Sequence, residues 1–93
     1  MKAIWNNQLL AESNDTVIIE NNHYFPLSSI NNEFFCESEA KSFCPSKGDA
    51  QYYSITVAGE VNADAAWYYA EPYEAAKEIK DRVAFWKGVE VLP

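Results

Sequence analysis

Short apolar runs separated by adjacent asparagines fill the first 25 residues of the chain. One asparagine pair is Asn6-Asn7, and the second is Asn21-Asn22. Asparagine tolerates a positive φ, so each pair suits the two-residue turn of a β-hairpin. The contiguous β-branched residues 17–19 (VII) predict a strand that is covered on both faces. This part of the sequence therefore predicts a meander of four strands.

Residues 49–58 (DAQYYSITVA) alternate clearly between the two faces of a predicted strand. Tyr53 lies on the more apolar of these faces. Gly59-Glu60 suits the turn into a second strand, in which Trp67 and Tyr69 share one face. If the two strands pair antiparallel, the alternation predicts that Tyr53 lies near Trp67 or Tyr69.

A helical pattern is confined to residues 72–83 (PYEAAKEIKDRV). Proline suits the first turn of a helix, and Ala76, Ile79 and Val83 form an apolar stripe at helical spacing. The rest of the chain has mostly strand character. The sequence therefore predicts a single domain, residues 1–93, that is mainly β. We expect a compact antiparallel sheet, half-barrel or sandwich with one short helix near residues 72–83.

Charge and composition narrow the classes of partner. The net charge is −7, from 14 acidic and 7 basic residues, whereas proteins that bind nucleic acids or anionic membranes need clusters of lysine and arginine. No apolar stretch approaches the length of a transmembrane helix, and the N-terminal segment lacks the apolar core of a signal peptide. These features predict a cytoplasmic protein that binds neither nucleic acid nor membrane. Aromatic residues make up 15% of the chain, so we expect an aromatic-rich core.

The two cysteines and the single histidine do not predict a metal site. Structural zinc needs four ligands, usually in closely spaced pairs, whereas Cys36 and Cys44 are eight residues apart and His23 is distant from Cys44. A disulfide between the two cysteines is geometrically possible but is not expected in the cytoplasm. The sequence therefore predicts no metal and no other cofactor.

Four segments occur in an order and spacing that resemble a known family. They are NHYFP (22–26), CPSKGDAQYY (44–53), DAAWYYAEP (64–72) and VAFWKGVEV (83–91). Together with the opening segment WNNQLLAES, they resemble the family called domain of unknown function 427, which is also labelled a nucleotidyltransferase-like domain. The resemblance extends over nearly the whole chain and implies a fold and a candidate site.

The match to the family's pattern has one departure. The family pattern reads Cys-Pro-Trp-Lys-Gly, and this chain has Ser46 in place of the tryptophan. The family's tyrosine after the loop corresponds to Tyr53 or Tyr52, and its Trp-x-Tyr pattern corresponds to Trp67 and Tyr69. The nucleotidyltransferase label implies close carboxylates that hold metal ions and a loop that binds phosphate. The chain has no Gly-rich phosphate loop and no Asp-x-Asp motif, so its sequence does not support that label.

The CPSKG loop supplies two candidate reactive residues. Cys44 is either a nucleophile whose pKa is lowered by nearby Lys47, or a small buried residue at the end of a strand. Lys47 either binds an anionic group of a ligand as a point charge, or is solvated at a turn. Tyr53, Trp67 and Tyr69 either line a pocket or form the core.

The leading hypothesis is a domain that binds a small metabolite or a nucleotide-like ligand. In this hypothesis Lys47, Tyr53, Trp67 and Tyr69 converge on one aromatic-lined cavity, and Cys44 lies at its rim. Two alternatives stay open. One is an enzyme of the nucleotidyltransferase-like type in which Cys44 and Lys47 act, and the other is a protein-interaction module that uses exposed aromatic residues. We expect a monomer or a weak homodimer.

Overall fold

A computed structural model describes the whole chain, residues 1–93, as nine β-strands and three short 3₁₀-helices. The strands are β1 (Lys2–Trp5), β2 (Gln8–Glu12), β3 (Val17–Ile19), β4 (Asn22–Pro26), β5 (Phe35–Cys44), β6 (Gly48–Val57), β7 (Glu60–Tyr68), β8 (Arg82–Phe85) and β9 (Glu90–Leu92). The 3₁₀-helices span Leu27–Ser29, Asn32–Phe34 and Glu74–Ile79. The predicted mainly β fold with little helix is therefore confirmed. None of the helices has the length and apolar character that crossing a bilayer requires.

The strands form two antiparallel sheets. In the small sheet, β1 lies between β2 and β9, so the first and last strands of the chain pair with each other. The large sheet has the strand order β3-β4-β8-β7-β6-β5. Tight connections join β5 to β6 and β6 to β7, while β8 returns from a distant part of the chain to lie between β4 and β7.

The hairpin turns lie at the predicted positions or one residue earlier. Asn6 and Asn7 have φ values of 51° and 61° and connect β1 to β2 as predicted. The second turn uses Glu20-Asn21, with φ values of 53° and 65°, so that β4 already begins at Asn22. The turn between β6 and β7 is Ala58-Gly59 and not Gly59-Glu60, because φ is positive at 58 and 59. Positive φ at both central residues matches the twist of the flanking strands.

The predicted meander of four strands is wrong. Strands β1 and β2 belong to the small sheet, whereas β3 and β4 belong to the large one. Strand β3 is also an edge strand that pairs only with β4, and Ile18 at its centre is 60% exposed. The prediction of a strand covered on both faces is therefore wrong as well. A run of β-branched residues favours an extended backbone but does not determine which faces are buried.

Two apolar clusters cover the two faces of the large sheet. The first lies between the sheets and consists of Ala3, Leu10, Ala11, Phe25, Ile30, Ile55, Val57, Ala65, Ala66, Val83 and Phe85. The second lies on the opposite face, under the third 3₁₀-helix, and consists of Tyr24, Ala50, Tyr69, Ala76, Ile79 and Ala84. Successive side chains of a strand point to opposite faces, which is why adjacent Tyr24 and Phe25 belong to different clusters.

The predicted helix near residues 72–83 is shorter and differently wound. The segment Glu74–Ile79 is a 3₁₀-helix with a non-helical residue at Ala76, where φ is −119° and ψ is 19°. Ala76 and Ile79 are buried in the second cluster, but Val83 belongs to strand β8 and is buried in the first cluster. Pairing of β8 with both β4 and β7 overrides the helical spacing of the sequence, because tertiary contacts outweigh weak local propensity.

Candidate functional site

The CPSKG loop is a tight connection between two strands. Strand β5 ends at Cys44, β6 begins at Gly48, and these two residues pair with each other. Lys47 N–H donates to the carbonyl oxygen of Cys44 at 3.2 Å, and Tyr73 N–H donates to the carbonyl oxygen of Lys47 at 2.9 Å. Gly48 has a φ of +109°, a conformation that side-chain-bearing residues rarely adopt. These constraints fix the positions from which the side chains of Cys44 and Lys47 extend.

Lys47 is buried, with 8% of its surface exposed. Its ammonium group forms an ion pair with the carboxylate of Glu20, which belongs to the β3–β4 turn, and lies 3.8 Å from the sulfur of Cys44. Hydrogen bonding to Glu20 raises the pKa of Lys47 above its ordinary value, an effect that burial partly opposes. Lys47 therefore carries a positive charge at neutral pH.

A cavity of about 280 Å³ opens beside this ammonium group, on the face of the large sheet that bears the second cluster. Side chains from β4, β6, β7 and the residues that follow β7 and β8 form its wall. The lining residues are Glu20, Asn22, Tyr24, Cys44, Lys47, Tyr52, Trp67, Tyr69 and Trp86. The cavity thus combines one buried cation and one thiol with a mainly aromatic wall.

Hydrogen bonds and edge-to-face contacts hold the aromatic wall in place. The indole N–H of Trp67 donates to the hydroxyl oxygen of Tyr24 at 3.2 Å, and the two ring centroids are 6.2 Å apart. Trp67 also contacts Trp86 edge-to-face, at a centroid distance of 5.9 Å. The indole N–H of Trp86 donates to the carbonyl oxygen of Asp64 at 2.6 Å. Because both indoles are anchored, the wall is organised before any ligand binds.

Two tyrosine hydroxyls of the cavity stay neutral at physiological pH. Burial is the main cause that raises the pKa of Tyr69 to about 12. Burial also raises the pKa of Tyr24, although the hydrogen bond from Trp67 opposes this change. Each neutral hydroxyl can both donate and accept a hydrogen bond. The wall therefore offers polar groups of both kinds without adding negative charge.

Cys44 is a half-buried thiol whose surroundings favour its ionised form. The hydroxyl of Ser46 lies 3.3 Å from the sulfur, and this contact is the main cause that lowers the pKa of Cys44. The backbone N–H groups of Ser46 and Lys47 and the charge of Lys47 lower it further, while burial raises it. Ser46 thus acts directly on the thiol.

The structure brings four of the sequence-predicted residues together and separates one. Cys44, Lys47, Trp67 and Tyr69 all line the cavity of about 280 Å³. Tyr53 does not, and its predicted place in the site is wrong. In the register of β6 and β7, Tyr52 is opposite Trp67 and Tyr53 is opposite Ala66, so Tyr53 points to the other face of the sheet.

Tyr53 instead stacks on Tyr68 at a centroid distance of 4.7 Å and packs against the first cluster. Its edge-to-face contact with Phe35, at 5.7 Å, joins it to the strand on its other side. Burial is the main cause that raises the pKa of Tyr53. These contacts give Tyr53 a structural role between the two sheets.

A second, larger groove of about 680 Å³ runs along the outer end of β5 and β6. Its lining is mostly polar and consists of Lys41, Ser42, Phe43, Asp49, Gln51, Ala70 and Glu71. The groove contains neither a buried cation nor a thiol. We place the candidate site in the smaller cavity because that cavity concentrates the groups that could bind or react.

A comparison with known protein families tests the family resemblance that the four sequence segments suggest. A family model described as "Domain of unknown function (DUF427)" matches residues 1–92. The chain belongs to the DUF427 family. No curated protein matches the chain significantly in sequence.

Five cavity residues of this DUF427 domain were not among the predicted site residues, although Tyr52 was named as an alternative to Tyr53: Glu20, Asn22, Tyr24, Tyr52 and Trp86. Tyr24 and Trp86 lie within two of the segments that resemble the family, NHYFP and VAFWKGVEV. Those two segments could therefore have identified both residues as site candidates. Tyr52 could have been found from the correct register of β6 and β7. The contact between Glu20 and Lys47 joins residues 27 positions apart, and no local pattern predicts it.

The described residues contain no group of three or more His, Cys, Asp or Glu side chains that could hold a metal ion. The Nδ1 atom of His23 lies 2.9 Å from the hydroxyl of Thr16. Cys36 and Cys44 are free thiols in β5, near its two ends. At about 3.3 Å per residue, their separation is roughly 26 Å, too far for a disulfide.

We expect Cys44 to ionise below its ordinary pKa of 9.0. The check is the rate of iodoacetamide alkylation against pH in a Cys36→Ser background, where Cys44 is the only thiol. The midpoint should lie below 9.0, and it should rise in both Ser46→Ala and Lys47→Met, because each removes a group that favours the thiolate. A midpoint at or above 9.0, or one that neither substitution moves, contradicts the described geometry.

Proposed function

We propose that this domain binds a small, planar, uncharged ligand with a hydrogen-bond acceptor, in the cavity between Lys47 and Trp67. The observation that carries the proposal is the buried ammonium group of Lys47 in an aromatic wall. Burying a charge is costly unless it is paired, and here Glu20 supplies the pairing. A buried, paired lysine beside a cavity is typical of functional sites, which supports a binding role for Lys47.

The hydrogen-bonding capacity of Lys47 supports an acceptor on the ligand. An ammonium group has three N–H donors. Within the protein its acceptors are Glu20 and the sulfur of Cys44. It can therefore also donate to an acceptor atom of a ligand in the cavity. The aromatic rings of Trp67 and Trp86 supply faces and edges for a planar ring.

Charge and size narrow the ligand class further. Glu20 already balances Lys47, and the whole chain carries −7, so a strongly anionic ligand is disfavoured. Ligand sites are commonly about 300–1,000 Å³. At about 280 Å³, this cavity suits one substituted ring better than a complete nucleotide. An aromatic ring that carries a neutral carbonyl or amide group is small enough for the cavity and adds no negative charge.

Nucleotidyl transfer fits this site less well. That reaction commonly employs carboxylates that hold two metal ions, and it needs donors that bind a triphosphate. Glu20 is the only carboxylate that lines the cavity, and Lys47 is its only cation. The donor set therefore favours binding over phosphoryl chemistry.

One observation favours the alternative of a protein-interaction module. Phe43 is 61% exposed at the edge of the larger groove and contacts Tyr73, also exposed, at a centroid distance of 6.4 Å. Exposed aromatic residues beside a groove are typical of protein-binding surfaces. Under this alternative, Phe43→Ser would abolish binding of the partner, whereas Lys47→Met would leave it intact.

We also propose a cytoplasmic location. Disulfides are rare in reducing compartments, and the two cysteines of this chain are free. A half-buried thiol with a lowered pKa would be oxidised easily outside such a compartment. Cell fractionation with an antibody to the chain tests this location.

A thermal-shift and calorimetric panel of benzamide, nicotinamide and AMP tests the proposed function. We expect benzamide and nicotinamide to bind saturably and to raise Tm, because their neutral carbonyl oxygen can accept from Lys47. Lys47→Met should weaken this binding at least about tenfold, the effect of losing one charge-assisted hydrogen bond. Lys77→Met is the matched control, because Lys77 is exposed and pairs only with Glu74.

Two results of this panel would overturn the proposal. One is that neither benzamide nor nicotinamide binds, and the other is that Lys47→Met binds them as tightly as the unmodified protein. Tighter binding of AMP than of either ring compound, with an increase on addition of Mg²⁺, would instead favour the nucleotidyltransferase-like alternative.

A further inference from the structure

The proposed binding function uses the ammonium group of Lys47 but assigns no role to the thiol beside it. Cys44 lines the same cavity, and its sulfur lies 3.8 Å from the nitrogen of Lys47. The hydroxyl of Ser46 lies 3.3 Å from the same sulfur. The cavity therefore holds a nucleophile and a proton donor side by side.

We propose that the cavity captures a small aromatic aldehyde as a reversible hemithioacetal on Cys44. This inference rests on the proposed function, since it needs the same cavity to bind the aromatic ring. The aldehyde is the electrophilic member of the ligand class already derived, a planar ring with a neutral carbonyl group. It adds one covalent step to the binding proposed for Lys47.

The step balances without an oxidant or a leaving group. The thiolate sulfur of Cys44 forms a bond to the carbonyl carbon, and the π electron pair of the C=O bond moves to oxygen. The ammonium group of Lys47 donates a proton to that alkoxide, and Lys47 regains a proton from solvent. The proton lost when the Cys44 thiol ionises enters solvent, so the net reaction is addition of one S–H across one C=O bond.

The geometry favours addition at sulfur over imine formation at nitrogen. An imine needs an unprotonated amine, and the ion pair with Glu20 keeps Lys47 protonated. A protonated Lys47 instead stabilises negative charge that develops on the carbonyl oxygen, as donors of an oxyanion hole do. Cys44 is favoured as the nucleophile because Ser46 and Lys47 stabilise its thiolate.

The proposed step ends at addition. An aldehyde carbon carries no leaving group, so the hemithioacetal has no acyl group to transfer to water and can only release the aldehyde again. A reversible adduct is therefore the end point.

The test uses benzaldehyde labelled with ¹³C at its carbonyl carbon, with NMR on the full chain. We expect the aldehyde carbon signal to be replaced saturably by a signal of a tetrahedral carbon that correlates with the β-protons of Cys44. The adduct should form at least about tenfold more tightly than the adduct of benzaldehyde with glutathione, since the cavity also binds the ring. Cys36→Ser should form the same adduct, because Cys36 is exposed near the other end of β5.

The possible outcomes separate this inference from the proposed function. If benzamide binds but benzaldehyde gives no tetrahedral carbon on Cys44, the inference is wrong and the proposed function stands. If neither compound binds, both are wrong. Trapping of an imine on Lys47 by borohydride, or an adduct that persists unchanged in Cys44→Ser, also overturns the inference. Because the assignment to Cys44 is made on the unmodified protein, it does not depend on the folding of any variant.

Discussion

Replacing Phe25 with alanine is expected to destabilise the domain by about 3–5 kcal/mol. Phe25 is fully buried in the first cluster and contacts Phe85 edge-to-face at a centroid distance of 5.6 Å. Removing the ring deletes apolar contact area and leaves a cavity between the two sheets. Small domains are stable by only about 5–15 kcal/mol, so this single change removes a large part of the total.

Urea unfolding followed by circular dichroism measures this effect as a shift of the unfolding midpoint. The matched control is Phe43→Ala, which removes the same ring from a position that is 61% exposed. Its expected cost is within about 0.5 kcal/mol. If Phe25→Ala unfolds at the same urea concentration as Phe43→Ala, the two-sheet core described here is contradicted.

Replacing Trp67 with alanine should cost about 3 kcal/mol of stability and also abolish ligand binding. The indole packs against Tyr24 and Trp86 and is half-buried, so its removal should cost an amount near the lower end for an aromatic core residue. It also leaves the hydroxyl of Tyr24 without the N–H donor of Trp67. The same ring forms one wall of the cavity, so the ligand loses its contact surface.

Trp67→Phe separates these two contributions. It keeps an aromatic ring but loses the N–H that donates to Tyr24, which should cost about 1 kcal/mol. Benzamide should still bind to this variant, though more weakly. Unchanged benzamide binding to Trp67→Ala, measured by calorimetry under conditions where the variant stays folded, would show that Trp67 is a core residue and not part of a site.

The sequence predicted local structure well and sheet assembly poorly. Asn6-Asn7 could be recognised as a turn because positive φ is a local property of the two residues. The assignment of β1 and β3 to different sheets depends on pairings between distant residues, such as Ala3 with Val91, which no short pattern encodes. For the same reason the spacing of Ala76 and Val83 suggested one helix where the chain forms a 3₁₀-helix and a strand.

In the candidate site too, features local to one strand could be predicted, whereas strand register and contacts between distant residues could not. Trp67 and Tyr69 could be placed on one face because side chains in a strand alternate. The error at Tyr53 comes from the register of β6 and β7, since a shift of one residue moves a side chain to the opposite face. Glu20 could not be predicted, because its contact with Lys47 arises only when the β3–β4 hairpin packs beside the CPSKG loop.

A titration with benzamide, followed by ¹H–¹⁵N NMR, shows whether a ligand binds between Lys47 and Trp67. The three tryptophans give three indole N–H signals, which report on different parts of the fold. Trp67 and Trp86 line the cavity, whereas Trp5 packs against the first cluster, on the other face of the large sheet. We expect saturable shifts of the indole signals of Trp67 and Trp86 with no shift of the Trp5 signal. Absence of saturable shifts, or shifts confined to the groove around Phe43, would contradict it.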